Sequence, residues 1–353
     1  MNVEIRQSAP GKLVLLGEYA VLFGHPAIVM AVDRRARVVL DPAPDSAFQV
    51  TALGVVDRPC RFDVSDSGVV RWTDDEAQRK LGLVAEILAS MTADGLIARS
   101  ELLPFSAILD TAGFFQHTED GVTKLGLGSS AALTVSFAAA VARWCGHDDL
   151  LRQPITWLRQ LVRFHREFQR GRGSGIDLAA ALLGGTLLYQ LDDAGDVRRA
   201  DPIRLPTELV VRFVWTGRSA DTGDFLEKLS ARMTTNRSGI IRALDQLGAI
   251  ARSGVDALVE ARVRDFLDAA DSACDGMDRL GRECGLAIVS DDHRDVRRIA
   301  RECGAHYKPS GAGGGDIGLL LADDPDRGSA AADAVVQAGY VLVDASIDPV
   351  GLA

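Results

Sequence analysis

The stretch KLGLGSSAALTVSFAAAV, Lys124–Val141, sets Gly126, Gly128, Ser129 and Ser130 directly before an alanine-rich apolar run at helical spacing. Glycines let backbone amides approach a ligand closely. The amino end of a helix then offers unpaired N–H groups and the positive end of a dipole to a phosphate. A helix capped by Ser129 or Ser130 is the plainer reading, and it accounts for the serines alone. No GxxxxGK[ST] occurs in the chain, so this is not a Walker A loop.

Three other segments share this character. SAPGKLVLLGEYAVLFGHPAIV, Ser8–Val29, carries Lys12 into an otherwise apolar strand-like region, followed by Glu18, Tyr19 and His25. A lysine there costs free energy unless its ammonium reaches a partner or snorkels to water. FHREFQRGRGSGIDLAAALLGG, Phe164–Gly185, places Asp177 three residues after Ser174 at the start of a short helix. A capping box explains that spacing, although the glycines around Ser174 exceed what a cap needs. The third, SGAGGGD, Ser310–Asp316, runs into the apolar strand IGLLLA. A flexible tether should be polar on both sides, and a bare turn needs fewer glycines, so a backbone surface pressed against a ligand is expected.

The composition bounds these readings. A chain of 353 residues, 47% hydrophobic, suggests two domains and a sizeable core. A net charge of −10 gives no general attraction for nucleic acid or anionic membrane, so a polyanion must be held by a local cationic pocket. There is no basic stripe with interleaved aromatics, no long apolar span and no signal-peptide layout, so the cytoplasm is the expected location. The five cysteines show no metal or redox spacing and read as buried thiols. Only five lysines stand against 34 arginines, and Lys12, Lys124 and Lys308 lie beside the glycine motifs. A compact ammonium suits a phosphate held in a tight pocket.

The apolar periodicity places strands at KLVLLGEYAVL, PAIVMAV, ARVVLDP, FSAILDT, TLLYQL, LVVRFVW, IGLLLA and YVLVDA. Helices are expected at 74–91, 130–145, 150–169, 176–184, 224–233, 238–252 and 255–282, with an alanine-rich helix before the last strand. Strands and helices without regular alternation argue for α+β. The two prolines of DPIRLPTE mark a boundary near residue 205, giving domains 1–205 and 206–353.

Together, APGKLVLLGEYAVL, GLGSSAAL and SGAGGGD, in this order and spacing, resemble the motifs of the GHMP kinases, small-molecule kinases named for galactose, homoserine, mevalonate and phosphomevalonate. The resemblance spans essentially the whole chain. It implies a two-domain fold, an ATP-binding α+β domain followed by a ferredoxin-like domain, with the site in the cleft between them. Lys124, Gly126, Leu127, Gly128, Ser129, Ser130 and Ala131 would bind ATP, with Ser130 touching Mg²⁺. Lys12 and Asp177 would face the transferred phosphoryl group. Glu18, Tyr19, Ser174, Gly175, Arg218, Ser219, Lys308, Ser310, Gly311, Ala312 and Gly313 would surround the acceptor. Glu18 and Glu167 are both open as the acidic metal ligand.

HREFQRGRGSGIDLAAALLGG, TKLGLGSSAA, WTGRSADT and SGAGGGD, ending at Asp316, are most similar to the phosphomevalonate branch, whereas GEYAVLFGHPAI is also similar to the mevalonate branch. A phosphorylated small-molecule acceptor is therefore expected, with mevalonate or a related hydroxy acid as the alternative. The partners are this acceptor and the nucleotide, without nucleic acid or membrane, in a monomer or homodimer. A phosphate acceptor is already ionised, so Asp177 serves as an orienting partner of Lys12 rather than an obligatory base, and Lys124, Lys308 and Arg218 are expected as extra cations. A decarboxylase of the diphosphate fits GLGSSAA less well, and a sensor without turnover conflicts with the joint presence of Lys12, Ser130 and Asp177.

Overall fold

The computed structural model describes residues 3–118, 121–219 and 222–353. In the amino-terminal half, β1 (Ile5–Leu16) pairs antiparallel with β2 (Ala27–Pro42), and β3 (Phe48–Leu53), β4 (Val56–Val64) and β5 (Val70–Trp72) follow as a meander. Helices α1 (Asp75–Lys80) and α2 (Gly82–Ala93) lead to β6 (Phe105–Asp110). A separate hairpin, β7 (Phe115–Thr118) and β8 (Gly121–Lys124), then feeds α3 (Ser129–Trp144). The half closes with α4 (Pro154–Phe168), α5 (Ile176–Leu183), β9 (Thr186–Leu191) and β10 (Val197–Ile203). Among the described residues the sheet has eight strands in the order β10-β9-β2-β6-β3-β4-β5, with β1 along β2.

The carboxyl-terminal half comprises β11 (Val210–Trp215), helices α6 (Thr222–Met233), α7 (Arg237–Val259), α8 (Val263–Cys284) and α9 (Asp291–Glu302), then β12 (His306–Pro309), β13 (Ile317–Ala322), α10 (Pro325–Gln337) and β14 (Val341–Leu342). Its antiparallel strands run β12-β13-β11-β14. With a helical crossover after the first and the third strand, this is the ferredoxin-like order, the first crossover being filled by α6–α9. The α+β class and this second half match the expectation from sequence.

Burial explains the helices that carry the site. α3 and α5 are alanine-rich and buried on nearly every face, so they occupy the layer behind β1 and β2 rather than the surface. α4 buries only one stripe, including Trp157, Leu161, Val162 and His165. The main core runs from the first sheet into the second, with Val14, Val29, Val135, Phe266 and Leu319 in one cluster. The last residues return to the first half: Asp348 N donates to Ala31 O (3.0 Å), and Leu352 N to Leu182 O (3.1 Å) at the end of α5.

Several expected elements have different limits. The chain leaves β1 at Leu16, so Glu18 and Tyr19 lie in a turn before a short 3-10 segment at Ala20–Phe23. PAIVMAV and ARVVLDP form one long strand. The 74–91 helix breaks at Leu81, the 150–169 span is a 3-10 segment followed by α4, and the helices expected over 238–252 and 255–282 divide at 259–263. α9 was not anticipated because seven of its first eight residues are charged or histidine and its apolar stripe is only Val296, Ile299 and Ala300 with buried His293. Strands β3–β5 and β10 were missed for the same reason, being interrupted by polar, exposed positions.

Candidate active site

The phosphate-type loop is built by close approach. Lys12 N donates to Leu127 O (2.8 Å), which docks β1 onto the loop, and a Cβ on Gly11 would sit 2.8 Å from that same oxygen. Gly128 occupies the N-cap of α3 at φ +78°, a conformation that strains any other residue, and neither serine caps the helix. Ser129 is instead buried in the first turn, and Ser130 Oγ lies 3.4 Å from His165 Nε2. The capping explanation of the serines therefore does not hold, and the first-turn amides of α3 face the loop without a side-chain partner.

The capping box expected at Ser174 and Asp177 is absent too. Gly175, at φ +77°, is the N-cap of α5, Ser174 O accepts from Tyr189 Oη (2.6 Å), and Asp177 Oδ1 accepts from Leu178 N (3.0 Å). Asp177 thus lines the cleft with Lys12. A Cβ on Gly128 would lie 3.2 Å from Lys12 Cγ and 3.7 Å from Asp177 Cβ, so these two side chains converge on the start of α3. Lys12 Nζ also reaches Gly126 O (3.4 Å).

A cleft of about 510 Å³ opens beside this pair, lined by Lys12, Glu18, Tyr19, Ser174, Asp177, Gly311 and Ala312 together with Phe168, Gln169, Arg170, Arg172 and Glu227. Tyr19 Oη donates to Ala312 O, and burial pushes its phenol well above the ordinary range. Ser310 is fully used by the protein: Oγ accepts from Val14 N (2.9 Å) and donates to Val14 O (3.0 Å), clipping the third glycine motif to β1. Burial lowers the pKa of His165, which keeps it neutral beside Ser130.

Three expected cations lie elsewhere. Lys308 is completely buried and donates to Glu18 and to Pro309 O (2.7 Å), so it is consumed by an internal ion pair. Arg218 has 76% of its side chain exposed, opposite Asp292 at 3.5 Å, and Ser219 beside it is exposed; neither lines the cleft. Lys124 is exposed on β8 and also lies off the cleft lining. The cations that do join Lys12 in the cleft are Arg170 and Arg172, which were hidden in sequence among many arginines.

The glycine run serves the protein more than a ligand. Only Gly311 faces the cleft, where an added Cβ would lie 3.5 Å from Lys12 Nζ. At Gly313 it would strike Ile288 O (2.2 Å), at Gly315 Arg218 O (2.9 Å), and at Gly318 the Tyr307 hydroxyl (2.0 Å). His293, buried behind the run, donates from Nε2 to Gly315 O (2.9 Å), leaving Nδ1 to accept from Tyr307 Oη (2.9 Å). Asp316, itself at φ +58°, packs its carboxyl group against Gly126, so it meets the phosphate-type loop rather than the acceptor side.

Family models for the GHMP kinases N terminal domain and the GHMP kinases C terminal region match residues 107–185 and 255–341. A phosphomevalonate kinase from Streptomyces sp. (strain CL190) is 31% identical over 90% of each chain. The chain belongs to the GHMP kinase family. As a GHMP kinase it is a phosphotransferase. It is 25% identical to a mevalonate kinase from Thermococcus sibiricus, over 99% of this chain and 98% of that one. Its fold is that of Streptococcus pneumoniae phosphomevalonate kinase, solved in complex with phosphomevalonate and AMPPNP: TM-score 0.75 at 20% identity, covering 98% and 100% of the chains. No helix among the described residues is long and apolar enough to cross a membrane.

Proposed function

We propose that this GHMP kinase transfers the γ-phosphoryl group of ATP to 5-phosphomevalonate, giving 5-diphosphomevalonate and ADP in the mevalonate route to isoprenoids. The meeting of Lys12 and Asp177 across Gly128, at the uncapped start of α3, carries the phosphoryl transfer, and the likeness to the Streptomyces phosphomevalonate kinase supports the acceptor. On this reading residues 1–205 form the ATP-binding domain and 206–353 the ferredoxin-like domain, working in the cytoplasm.

Amides of residues 126–131 hold the donor phosphates, where glycine leaves room for them. An oxygen of the acceptor phosphate attacks the γ-phosphorus as the bond to the bridging β–γ oxygen breaks, and ADP leaves. Lys12 neutralises charge on the moving group, while Asp177 serves as its orienting partner. Among the described residues no cluster of three or more His, Cys, Asp or Glu stands ready for a metal ion. That sparse donor set suits Mg²⁺, which takes few protein ligands beside substrate phosphates, and Ser130, in the first turn of α3, would be its hydroxyl ligand. When bound, Mg²⁺ supplies charge neutralisation on the phosphates. Glu18 is committed to Lys308, and Glu167 accepts from Ser90 Oγ (2.9 Å).

Purified protein with Mg·ATP is offered mevalonate, 5-phosphomevalonate and 5-diphosphomevalonate separately, and ADP release is followed. Turnover of the second alone is expected. Turnover of mevalonate alone overturns the acceptor, a reading favoured by the likeness of GEYAVLFGHPAI and of the Thermococcus relative. With a phosphate acceptor Asp177→Asn costs less rate than Lys12→Met, and the reverse order counts against the proposed division of roles.

A further inference from the structure

The cleft holds two arginines that phosphoryl transfer itself does not require. Arg170 and Arg172 belong to the link between α4 and α5, on the cleft wall that ends at Ser174 and Asp177. The link is prearranged. Arg166 Nε donates to Gly173 O (3.0 Å) and its Nη2 to Gly195 O (2.7 Å), while Gly171 N closes back on Arg166 O (2.7 Å). Arg172 Nη1 then reaches Glu227 Oε2 on α6 at 3.1 Å, so a carboxylate from the carboxyl-terminal half sits on a guanidinium from the amino-terminal half.

That ion pair is built to be exchanged. Arg172 is 38% and Glu227 68% exposed, so water screens their attraction and little is lost when Glu227 swings away. A planar guanidinium five residues before Asp177 is matched to a bidentate carboxylate. An acceptor held with its reacting end at Lys12 and Asp177 extends along this wall. The acceptor proposed above carries a carboxylate at the end opposite its phosphate, as does mevalonate.

We infer that Arg172 binds the carboxylate of the acceptor, and that Glu227 is the stand-in anion that occupies Arg172 while the cleft is empty. Arg170 adds positive potential beside it. The inference rests on the proposed class of acceptor, a small acid activated at its far end, but not on whether that end is a phosphate or an alcohol. It also accounts for the presence of Glu227 at an anion-binding cleft: Glu227 competes with the acceptor and shields Arg172 from other anions.

The test compares each acid with its carboxyl methyl ester, in wild type and in Arg172→Met, Arg172→Lys and Glu227→Gln, with steady-state kinetics in both acceptor and ATP. Wild type is expected to favour the acid by ~10- to 100-fold in kcat/KM, the range of a charge-assisted hydrogen-bonded contact. Arg172→Met brings acid and ester to within about threefold by raising the acceptor KM, without a matching rise in the ATP KM. Arg172→Lys recovers part of the preference, and Glu227→Gln lowers the acceptor KM by about two- to fivefold, the scale of an exposed pair. An acid preference unchanged in Arg172→Met, or equal losses for acid and ester, overturns the assignment. If wild type uses mevalonate and not the phosphorylated acid, the acceptor reading above fails, and the same four-way comparison on mevalonate and its ester decides Arg172.

Discussion

Replacing Lys308 by Met isolates the one lysine near the glycine motifs that the fold has consumed. Its side chain has no exposure, and that of its partner Glu18 has 3%. Loss of the ammonium strands the Glu18 carboxylate, and also Pro309 O, which Lys308 bonds at 2.7 Å. Removing one member of a buried pair costs about 3–5 kcal/mol, because the remaining charge is left without water or counter-ion. Removing both charges at once avoids that penalty. Lys308→Met/Glu18→Gln is therefore expected to recover at least half of the loss, a coupling of about 2 kcal/mol or more. Urea unfolding followed by circular dichroism and by tryptophan fluorescence measures all three variants against wild type. A Lys308→Met cost below about 1 kcal/mol, or losses that simply add in the double variant, would refute the buried pair and return Lys308 to the acceptor.

Other outcomes follow from the same geometry. Gly311→Ala meets only Lys12 Nζ, at ordinary contact distance in the cleft, so it is expected to lower turnover at the folding cost of a side chain at φ +81°, about 1–2 kcal/mol, whereas Gly313→Ala, at φ +73°, also drives a methyl into Ile288 O and costs more than about 3 kcal/mol; equal costs in denaturant titration contradict this division of the run. Burial pushes the His293 imidazole down to about 4. The folded value lies below the unfolded one near ~6.5, so the fold favours the neutral ring: its contribution is complete above that pH and is lost as pH falls towards 4. The full loss is on the order of 3 kcal/mol, and it should be missing from the pH dependence of His293→Gln stability; parallel profiles would count against it.

Much of the fold was legible in local sequence. The alanine-rich runs of α3 and α5 announce buried helices, because small apolar side chains on every face leave no surface for water. Glycines before α3 and α5 marked where these helices begin, but serine capping was the plainer reading of both and only the structure removed it, while the order of the motifs announced the family. α9 and the outer strands stayed hidden, since a polar element held by a few apolar contacts differs little from a loop in its own sequence.

What only the tertiary structure decided is which charged groups reach the cleft. In sequence Lys308 and Arg172 are both cations beside glycines, and the scarcity of lysines put Lys308 first; the structure reverses that order. The antiparallel pairing of β12 with β13 turns Lys308 inward onto Glu18, while Arg166 fixes the α4–α5 link so that Arg172 faces the cavity. The glycine run was recognisable as a close-approach surface, yet what approaches it is mostly Ile288, Phe225 and Arg218 of the chain itself. A missing Cβ records that something comes near; only the packing of distant segments determines whether it is a ligand or the protein's own backbone.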